Sequence, residues 1–413
     1  MAAQAARRQS DAAVLARGSL TIAAARAEAT KGRLVLLGGI IALGSLAIQI
    51  IVPALPQLVD GIGATPAGGQ LVISLYLIGL ALGQLGWAPV ADHYGRRPVL
   101  LGGLIVFLIG TLCCALAGDL AMMLAGRAVQ AAGASSSLIA GRAMATDTAP
   151  VGKAAAPLAI LTSVTLISPA LAPALGGAVT SVGGWRALFW ILAGLTLVGG
   201  ALALRMLPET RAGDRAPVDA RRIATTYWQV LRQRGYLPLA LSNALISGAF
   251  FTFLAASPFV LDAAGATPAQ AGLFYSAVAC AIIGGTLCVP VVLRRWPRGL
   301  KPAGSVALGS GAVVILIVAA TGAHLAGLFV AMSLIAFGAG LTGPALLAEA
   351  IEQQRERASA ATGLFGTMQM GGAALISTLA VRLAPSAAVE LGLIGVLVMV
   401  ALGLRVWGSR TLD

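Results

Sequence analysis

The sequence predicts an all-α polytopic membrane protein, with twelve transmembrane helices arranged as two six-helix bundles. Three observations predict this class. The 413-residue chain is 58% hydrophobic and 10% charged, with a mean hydropathy of +0.90, which lies far outside the range of soluble domains. Its apolar residues form continuous runs, each of about the 20 residues that a membrane span needs. Finally, the second half of the chain echoes the first.

The apolar runs are continuous rather than alternating in polarity. Because lipid offers no hydrogen-bond partners to backbone amides, spanning segments must be helices or a closed barrel, and continuous runs favour helices. The predicted spans are residues 34–55, 69–91, 98–117, 120–144, 155–180, 186–207, 236–261, 269–293, 302–321, 324–348, 358–383 and 387–407.

The net charge of +13 follows the membrane topology rather than marking a nucleic-acid surface. With residue 1 in the cytoplasm, all but three of the 28 Lys and Arg residues fall on the cytoplasmic side. The exceptions are Arg186 and Arg382 near the outer side and Arg127 inside a span. This bias predicts that both termini are cytoplasmic. We therefore expect the lipid bilayer as a partner and no nucleic acid.

Cysteine usage predicts neither a disulfide framework nor a metal site. Cys113, Cys114, Cys280 and Cys288 all fall inside predicted spans and lack metal-ligand spacing. We expect them to be small packing residues. No metal and no cofactor is predicted.

An internal repeat divides the chain. Residues 60–67, Asp-Gly-Ile-Gly-Ala-Thr-Pro-Ala, are echoed by residues 262–269, Asp-Ala-Ala-Gly-Ala-Thr-Pro-Ala, after a shift of 202 residues. In each copy the threonine is a candidate helix cap, with proline in the first turn. Two parallel halves of this kind hold a substrate near the bilayer midplane between them. The predicted divisions are a cytoplasmic tail 1–33, a bundle 34–207, a cytoplasmic linker 208–235, a bundle 236–407 and a cytoplasmic C-terminus 408–413.

Several motifs resemble one transporter family. Residues 83–97, Gly-Gln-Leu-Gly-Trp-Ala-Pro-Val-Ala-Asp-His-Tyr-Gly-Arg-Arg, resemble the loop 2–3 signature of the major facilitator superfamily. Residues 127–133 resemble its fourth-helix motif, and Ser168–Gly177 is similar to the fifth-helix signature of its antiporters. Residues 184–190, 207–210 and 257–261 resemble the bicyclomycin/chloramphenicol-resistance (Bcr/CflA) branch of drug:proton antiporters. The resemblance implies the superfamily fold, a monomer, and export of small molecules by alternating access.

The resemblance also implies the gating residues. Asp92, Gly95, Arg96 and Arg97 correspond to a cytoplasmic latch that holds the two halves closed. A carboxylate at a helix start is favoured by the helix dipole, although a polar turn that anchors helices at the headgroups is the alternative. In the fifth helix, proline removes backbone donors, which suits an element that rocks. The gating candidates in that helix are Pro169, Pro173, Gly176 and Gly177.

Arg127 is the strongest single candidate for substrate binding. An unpaired guanidinium inside a span is costly and normally faces a cavity or a partner. Gln130 lies three residues on and shares its helix face. The alternatives are that Arg127 snorkels outward or ties the helix to backbone carbonyls.

The chain departs from its branch at Gln49, where relatives carry an Asp four residues before the Pro-Ala-Leu-Pro motif. No Asp or Glu lies near the centre of a predicted span. Because Gln49 cannot titrate, the proton is only a candidate coupling ion. We expect Gln49 to bind substrate or to hydrogen-bond with Arg127, and an unneutralised Arg127 favours anionic or zwitterionic substrates.

Further cavity candidates come from the middles of helices expected to face inward. Aromatic side chains with a few polar groups suit a ligand pocket, while ordinary helix packing is the alternative for each. These candidates are Tyr76, Asn243, Ser247, Phe250, Phe253, Tyr275 and Gln369.

The leading functional hypothesis is a proton antiporter in a bacterial inner membrane that exports small molecules, such as bicyclomycin- or chloramphenicol-like drugs or related metabolites, with an acid outside the usual place as the coupling group. The alternative on the same fold is a proton-independent facilitator or exchanger of an organic anion or metabolite. No enzyme is predicted, because no helical His/Glu zinc pair and no intramembrane Ser with an Asp or His partner is present. A receptor is a further alternative, although a scaffold would not need Arg127 in a span.

Overall fold

The structure is a computed structural model that describes residues 31–148, 155–210, 220–233, 235–296, 298–322, 325–352, 358–384 and 386–410. Parts of the predicted divisions lie outside the described residues: nearly all of the tail, residues 211–219 of the linker, and the last three residues. The described chain is helical almost throughout and contains no strand. The predicted all-α class is therefore confirmed.

Twelve helices of span length are found in the described ranges. The first, α1, covers residues 31–49 and continues through a turn at Val52–Ala54 into a short helix, Leu55–Gly61. The stretch Ala155–Met206 contains α5 (155–183) and α6 (185–206), which meet at Gly184 with φ of +71°. The others are α2 (Pro66–Tyr94), α3 (Arg96–Ala115), α4 (Leu120–Asp147), α7 (Tyr236–Ala263), α8 (Pro268–Arg295), α9 (Leu300–Thr321), α10 (Leu325–Glu352), α11 (Ala358–Leu383) and α12 (Ala387–Arg410). A linker helix, Ala220–Leu231, precedes α7.

The most polar of these helices, α4, lies inside the assembly. Nine segments of the described chain are long and apolar enough to cross a membrane, and one of them, Ile160–Met206, contains most of α5 and all of α6. Helix α4 is as long as these spans but more polar. Helices α2 and α3 pack against α4, and α2 and α7 pack against α11. The polar side chains of α4 are thereby shielded from lipid.

The internal repeat has the same local structure in both copies. Thr65 and Thr267 each accept a hydrogen bond from the backbone N–H three residues on, at 3.2 and 3.3 Å. The turns before them contain Gly63 and Gly265, with φ of +63° and +79°. Both threonine caps are thus confirmed, and each starts the second helix of its half.

Small residues let the helices of the first bundle approach closely. A side chain at Gly79 would collide with Ala131 of α4, and one at Gly83 would collide with Ser135. Gly79 and Gly83 thus form a face of α2 on which α4 packs closely. Gly86 of the same helix lies outside that contact, because nothing lies within 4 Å of its Cβ position.

The two bundles meet along two helix pairs, α2 with α11 and α5 with α8. One end of the assembly contains the α2–α3 turn at Gly95 and the linker helix, and we call it the linker end. We call the other the opposite end. At the linker end, Val230 of the linker helix is fully buried against α7, α10 and α11. The linker helix therefore docks on the second bundle.

Candidate functional site

A cavity of about 240 Å³ lies between the bundles, close to the lower end of the range of about 300–1,000 Å³ for ligand pockets. Helices α1, α2, α4 and α5 of the first bundle and α7 and α11 of the second form its walls. The described lining residues are Ile41, Gly44, Ser45, Ile48, Gln49, Leu80, Ala134, Leu138, Arg142, Leu158, Leu161, Thr162, Thr165, Phe251 and Met370.

Helical periodicity explains which side chains line this cavity. On α4 the lining residues Ala134, Leu138 and Arg142 are four residues apart and therefore share one face. On α1 the lining runs from Ile41 to Gln49, a length of about 12 Å at about 1.5 Å per residue. The cavity is thus an elongated, mostly apolar slot along the helix axes.

The polar groups of the cavity are few. Gln49 Nε2 donates to Ser45 Oγ at 3.4 Å, and Thr162 and Thr165 donate their hydroxyl protons to backbone carbonyls one turn earlier, at 2.8 and 2.9 Å. Arg142 is exposed, and no described residue forms a hydrogen bond or an ion pair with it. None of the described lining residues is acidic. Among its described lining residues the cavity therefore has one charged side chain, Arg142, and its charge is positive.

Of the predicted binding residues, Gln49 lines this cavity, while Ser45, Arg142, Thr162 and Thr165 were not predicted. The structure extends α4 to Asp147, beyond the predicted end at residue 144, so Arg142 lies within the helix rather than at its edge. Its four-residue spacing from Ala134 and Leu138 is the sequence signal that places it on the cavity face.

Arg127 is fully buried inside the first bundle. Its Nε donates to the Val72 carbonyl at 3.2 Å, and Nη1 donates to the Ala47 carbonyl at 3.0 Å and to Gln130 Oε1 at 2.7 Å. The guanidinium carbon lies 4.1 Å from the centre of the Tyr76 ring. Arg127 therefore ties α4 to the backbones of α1 and α2 and does not line the cavity. These are the contacts of the structural alternative, and a role in substrate binding stays a prediction.

Tyr76 and Gln130 belong to the same buried network. The Tyr76 hydroxyl donates to the Gly44 carbonyl at 3.0 Å, and Gln130 Nε2 donates to Thr111 Oγ1 at 2.8 Å. Neither residue lines the cavity. The expected hydrogen bond between Gln49 and Arg127 is wrong, because Gln49 bonds to Ser45 on its own helix and Arg127 is bonded elsewhere.

In the second bundle, the structure brings Ser247 and Gln369 together. Gln369 Nε2 donates to Ser247 Oγ at 3.0 Å and so links α11 to α7. Asn243 is buried one turn earlier on α7. The neighbouring Met370 lines the cavity, whereas Gln369 does not.

The predicted aromatic residues also lie next to the cavity rather than on its wall. Phe253 and Tyr275 are buried with their ring centres 5.8 Å apart, and the Tyr275 hydroxyl lies 2.8 Å from Ser257 Oγ. Phe250 is half-buried, and its neighbour Phe251 lines the cavity. The lining faces of α7 and α11 are thus one residue away from the predicted positions.

At the opposite end the bundles are closed against each other along a seam, which we define by two hydrogen bonds. Ser74 Oγ lies 2.9 Å from Ser377 Oγ between α2 and α11, and the Ala174 N–H donates to Ser276 Oγ at 3.0 Å between α5 and α8. The Ala174 donor follows Pro173, in the proline-containing part of α5.

Glycines of α5 make this close approach possible. A side chain at Gly177 would collide with the Pro268 carbonyl of α8, and one at Gly176 would collide with the Ile50 carbonyl of α1. In return, a side chain at Gly272 of α8 would collide with the Pro173 carbonyl. The predicted fifth-helix residues therefore lie at contacts between helices, while Pro169 precedes them within α5.

A buried acid lies beside the seam, between α12 and α2. Glu390 of α12 is 9% exposed, and it is the only buried one among the acidic side chains that the structure describes. Gln70 of α2 lies next to its carboxylate, and no described residue bonds to Glu390 Oε1. No role was predicted for Glu390, which lies near the start of the predicted span 387–407.

The turn at Gly95 is stabilised from within the first bundle. Gly95 has φ of +102°, and the Glu209 carboxylate accepts hydrogen bonds from the N–H groups of Arg96 and Arg97 at 3.0 and 3.1 Å. Glu209 thus caps the start of α3, where the helix dipole favours an anion. Arg96 Nε also lies 3.5 Å from Asp147 Oδ2.

The side chain of Asp92 lies outside the described part of the structure. Arg97 Nη2 donates to a backbone carbonyl of α6 at 2.7 Å. The partners identified for the turn lie in α4, in α6 and in the segment directly after α6. The latch role of Asp92, Gly95, Arg96 and Arg97 stays a prediction.

Sequence comparison places the chain among transporters. Residues 37–377 match the Major Facilitator Superfamily. An uncharacterized MFS-type transporter, YdgK of Bacillus subtilis, is 27% identical over 87% of this chain and 90% of its own length. A chloramphenicol resistance protein of Pseudomonas aeruginosa is 31% identical over 67% of this chain and 65% of its length. Multidrug resistance protein MdtL of Salmonella heidelberg is 31% identical over 53% of this chain and 57% of its length.

Solved structures show the same fold. A POT family transporter crystallised with 5-aminolevulinic acid superimposes with a TM-score of 0.77, at 12% identity, over 93% of this chain and 96% of that one. An inward-facing bacterial homologue of the lysosomal transporter Spinster gives a TM-score of 0.72 at 16% identity, over 92% and 96%. The motifs, the two bundles around a cavity and these matches agree, and the chain belongs to the Major Facilitator Superfamily of membrane transporters.

Proposed function

We propose that this chain exports small organic molecules across a bacterial inner membrane by alternating access, with both termini in the cytoplasm. The observation that supports this most directly is a cavity between two bundles that are closed at one end. The α1 residues that line the cavity precede Ile50, which packs against Gly176 beside the seam. The cavity therefore lies on the linker-end side of the seam, ready to receive a molecule from that side.

The orientation is proposed from the charge distribution. The linker end contains the basic turns around Arg96 and Lys301 and the basic stretch before α7. Lys and Arg are retained on the cytoplasmic side of membrane proteins. With that end inside, the structure represents the state that accepts a cytoplasmic substrate.

The substrate class is proposed from the relatives. Two of them are named as chloramphenicol and multidrug resistance proteins. An apolar slot with few polar groups suits small amphipathic molecules of that kind. Export of bicyclomycin- or chloramphenicol-like compounds is accordingly our leading assignment.

A resistance and efflux experiment tests this assignment. Leu138→Trp places a large ring in the cavity, whereas Leu195→Trp changes a leucine of α6 that is 44% exposed and does not line it. Cells that express the wild-type chain or Leu195→Trp should tolerate more drug and retain less of it than cells with Leu138→Trp. Equal efflux by both variants would contradict transport through this cavity.

We further propose proton antiport, with Glu390 as the coupling acid. Gln49 cannot titrate, and Glu390 is buried beside the seam, between α12 and α2. Opening the seam would expose its carboxylate to the outer side, so its access to water would alternate with the transport cycle. In proteoliposomes, Glu390→Gln should abolish substrate-driven proton release, whereas Glu349→Gln, which removes a partner of Lys301 at the linker end, should preserve it.

The alternative is a proton-independent exchanger of an organic anion or metabolite on the same fold. It is favoured by Gln49 and by the absence of acidic side chains among the described residues of the cavity. Substrate exchange without any proton release, in the wild type and in Glu390→Gln alike, would establish it. Proton-driven export gained by Gln49→Asp would show that the usual coupling position is intact but cannot titrate.

A further inference from the structure

We infer that the cavity binds an organic anion, with Arg142 as the residue that recognises its carboxylate or equivalent group. This inference rests on the proposed export for its biological role, and it narrows the substrates of the same cavity: among the small molecules proposed above it favours anionic metabolites over uncharged drugs such as chloramphenicol. The binding itself is testable without any transport. The cavity holds a guanidinium and no acidic side chain among its described lining residues, which is the electrostatic environment that an anion complements.

Arg142 differs from three other arginines of the first bundle, Arg96, Arg97 and Arg127, in having no bonding partner among the described residues. Arg127 makes three hydrogen bonds, Arg96 lies beside Asp147, and Arg97 donates to a backbone carbonyl. Arg142 instead lies on an inner helix, four residues from Leu138 on the cavity face. A guanidinium whose donors have no described partner, on the wall of a mostly apolar cavity, is completed by a bidentate acceptor.

The rest of the wall defines the shape and polarity of the ligand. Thr162 and Thr165 have already donated their protons to the backbone, so their oxygens remain as acceptors. Gln49 still offers one N–H and its carbonyl oxygen beyond the bond to Ser45. Aliphatic and aromatic side chains such as Phe251 and Met370 cover the remaining wall. The geometry therefore fits an amphipathic molecule with one anionic end, an apolar body and a hydrogen-bonding group of its own.

A neutral drug would leave Arg142 without a partner inside the closed cavity. A buried unpaired charge is expensive in a membrane protein, and this cost would oppose enclosure of the molecule. When an anion is enclosed instead, its charge pairs with Arg142 and this energetic cost is removed. The cavity should therefore discriminate between a carboxylate and its neutral analogue more strongly than its apolar walls can.

Binding to the purified full-length chain tests the inference with a matched pair of probes, 4-butylbenzoate and 4-butylbenzamide. These molecules differ in charge and share the same apolar body. Affinities are measured by isothermal titration calorimetry for the wild type, Arg142→Gln and Arg142→Lys. Arg205→Gln is the control, because Arg205 is an exposed arginine near the linker end of α6 that does not line the cavity.

We expect the wild type to bind the benzoate at least about tenfold more tightly than the benzamide, as charge-assisted hydrogen bonds predict. Arg142→Gln should weaken benzoate binding by about ten- to hundredfold and leave benzamide binding nearly unchanged. Arg142→Lys should retain part of the preference, since it keeps the charge but loses the bidentate geometry. Arg205→Gln should behave as the wild type.

Equal affinity of the wild type for both probes, or benzoate binding that Arg142→Gln does not change, would overturn the inference. If the thermal unfolding of Arg142→Gln shows that this variant does not fold, Arg142→Lys takes its place. Benzoate binding that Arg142→Lys does not change would then overturn the inference. Added phosphatidylglycerol distinguishes the two sources of an anionic group. Competition with benzoate that depends on Arg142 would assign the site to a lipid headgroup and overturn the solute assignment.

The two proposals fail separately. Binding of benzoate through Arg142 without movement of any solute in vesicles would support this site and contradict export. Efflux of neutral drugs that Arg142→Gln leaves unchanged would support export and overturn the anion site.

Discussion

Replacing Arg127 should destabilise the first bundle rather than weaken ligand binding. Arg127→Ala removes three hydrogen bonds that connect α4 with α1, α2 and its own Gln130. Hydrogen bonds between membrane helices contribute about 0.6 kcal/mol each on average, so the two to the Val72 and Ala47 carbonyls contribute about 1.2 kcal/mol. The bond to Gln130 within α4 adds about 0.2–0.5 kcal/mol, and the guanidinium over the Tyr76 ring adds about 0.5–2 kcal/mol. The expected loss is therefore about 2–4 kcal/mol.

Thermal unfolding of the purified protein in detergent measures this loss. At about 2–4 °C per kcal/mol for a domain of the size of one bundle, Arg127→Ala should lower the Tm by about 4–16 °C. Arg127→Met fills more of the space and should lie between Arg127→Ala and the wild type. Arg186→Ala is the matched control, because Arg186 also stacks on an aromatic ring but donates to one carbonyl only, at 2.9 Å.

The two possible roles of Arg127 give opposite results. Because Arg127 does not line the cavity, a folded Arg127→Met should bind a cavity ligand within a few-fold of the wild type. A wild-type Tm combined with lost binding would refute the structural role and restore substrate recognition as the function of Arg127. A Tm drop no larger than that of Arg186→Ala would show that the buried network contributes little.

Two further predictions concern glycines. Gly95→Ala should lower the Tm, because alanine disfavours a φ of +102° and its Cβ would lie 2.6 Å from Glu209 Oε2. The control is Gly102→Ala, which lies in open space within α3 and should leave the Tm unchanged or raise it. A wild-type Tm for Gly95→Ala would contradict the assigned backbone geometry. Gly177→Val should open the seam and increase thiol labelling of a cysteine placed there, and Gly194→Val, with open space around it, should not. Unchanged labelling in Gly177→Val would show that α5 and α8 do not need this close contact.

The fold was predictable because bilayer physics leaves few alternatives. Continuous apolar runs identify helices, and the repeated Thr-Pro turn aligns the halves before any coordinates are known. Thr65 and Thr267 cap their helices as predicted because a local hydrogen bond depends only on local sequence. The boundary between α5 and α6 was predicted between residues 180 and 186, and Gly184 turns the chain there.

The site was less predictable because it depends on helix rotation. Side chains one residue apart on a helix point about 100° away from each other, so one can line the cavity while its neighbour packs inside the bundle. Phe251 and Met370 line the cavity while the predicted Phe250 and Gln369 do not. Hydropathy alone does not fix that rotation in helices that are apolar on every side, and packing between bundles decides it.

Two arginines on one helix show how burial alone can mislead the search for a site. Arg127 is the more buried, yet its Nε and Nη1 donate to the Val72 and Ala47 carbonyls and to Gln130, and only its buried Nη2 lacks a described partner. Arg142 is the more exposed, lines the cavity, and donates to no described residue. Binding requires unsatisfied hydrogen-bonding capacity that a ligand can reach, whereas a guanidinium bonded inside a bundle has used most of that capacity in folding. In a transporter the access of the ligand to the recognition group matters most, because that group must exchange its partner in every cycle.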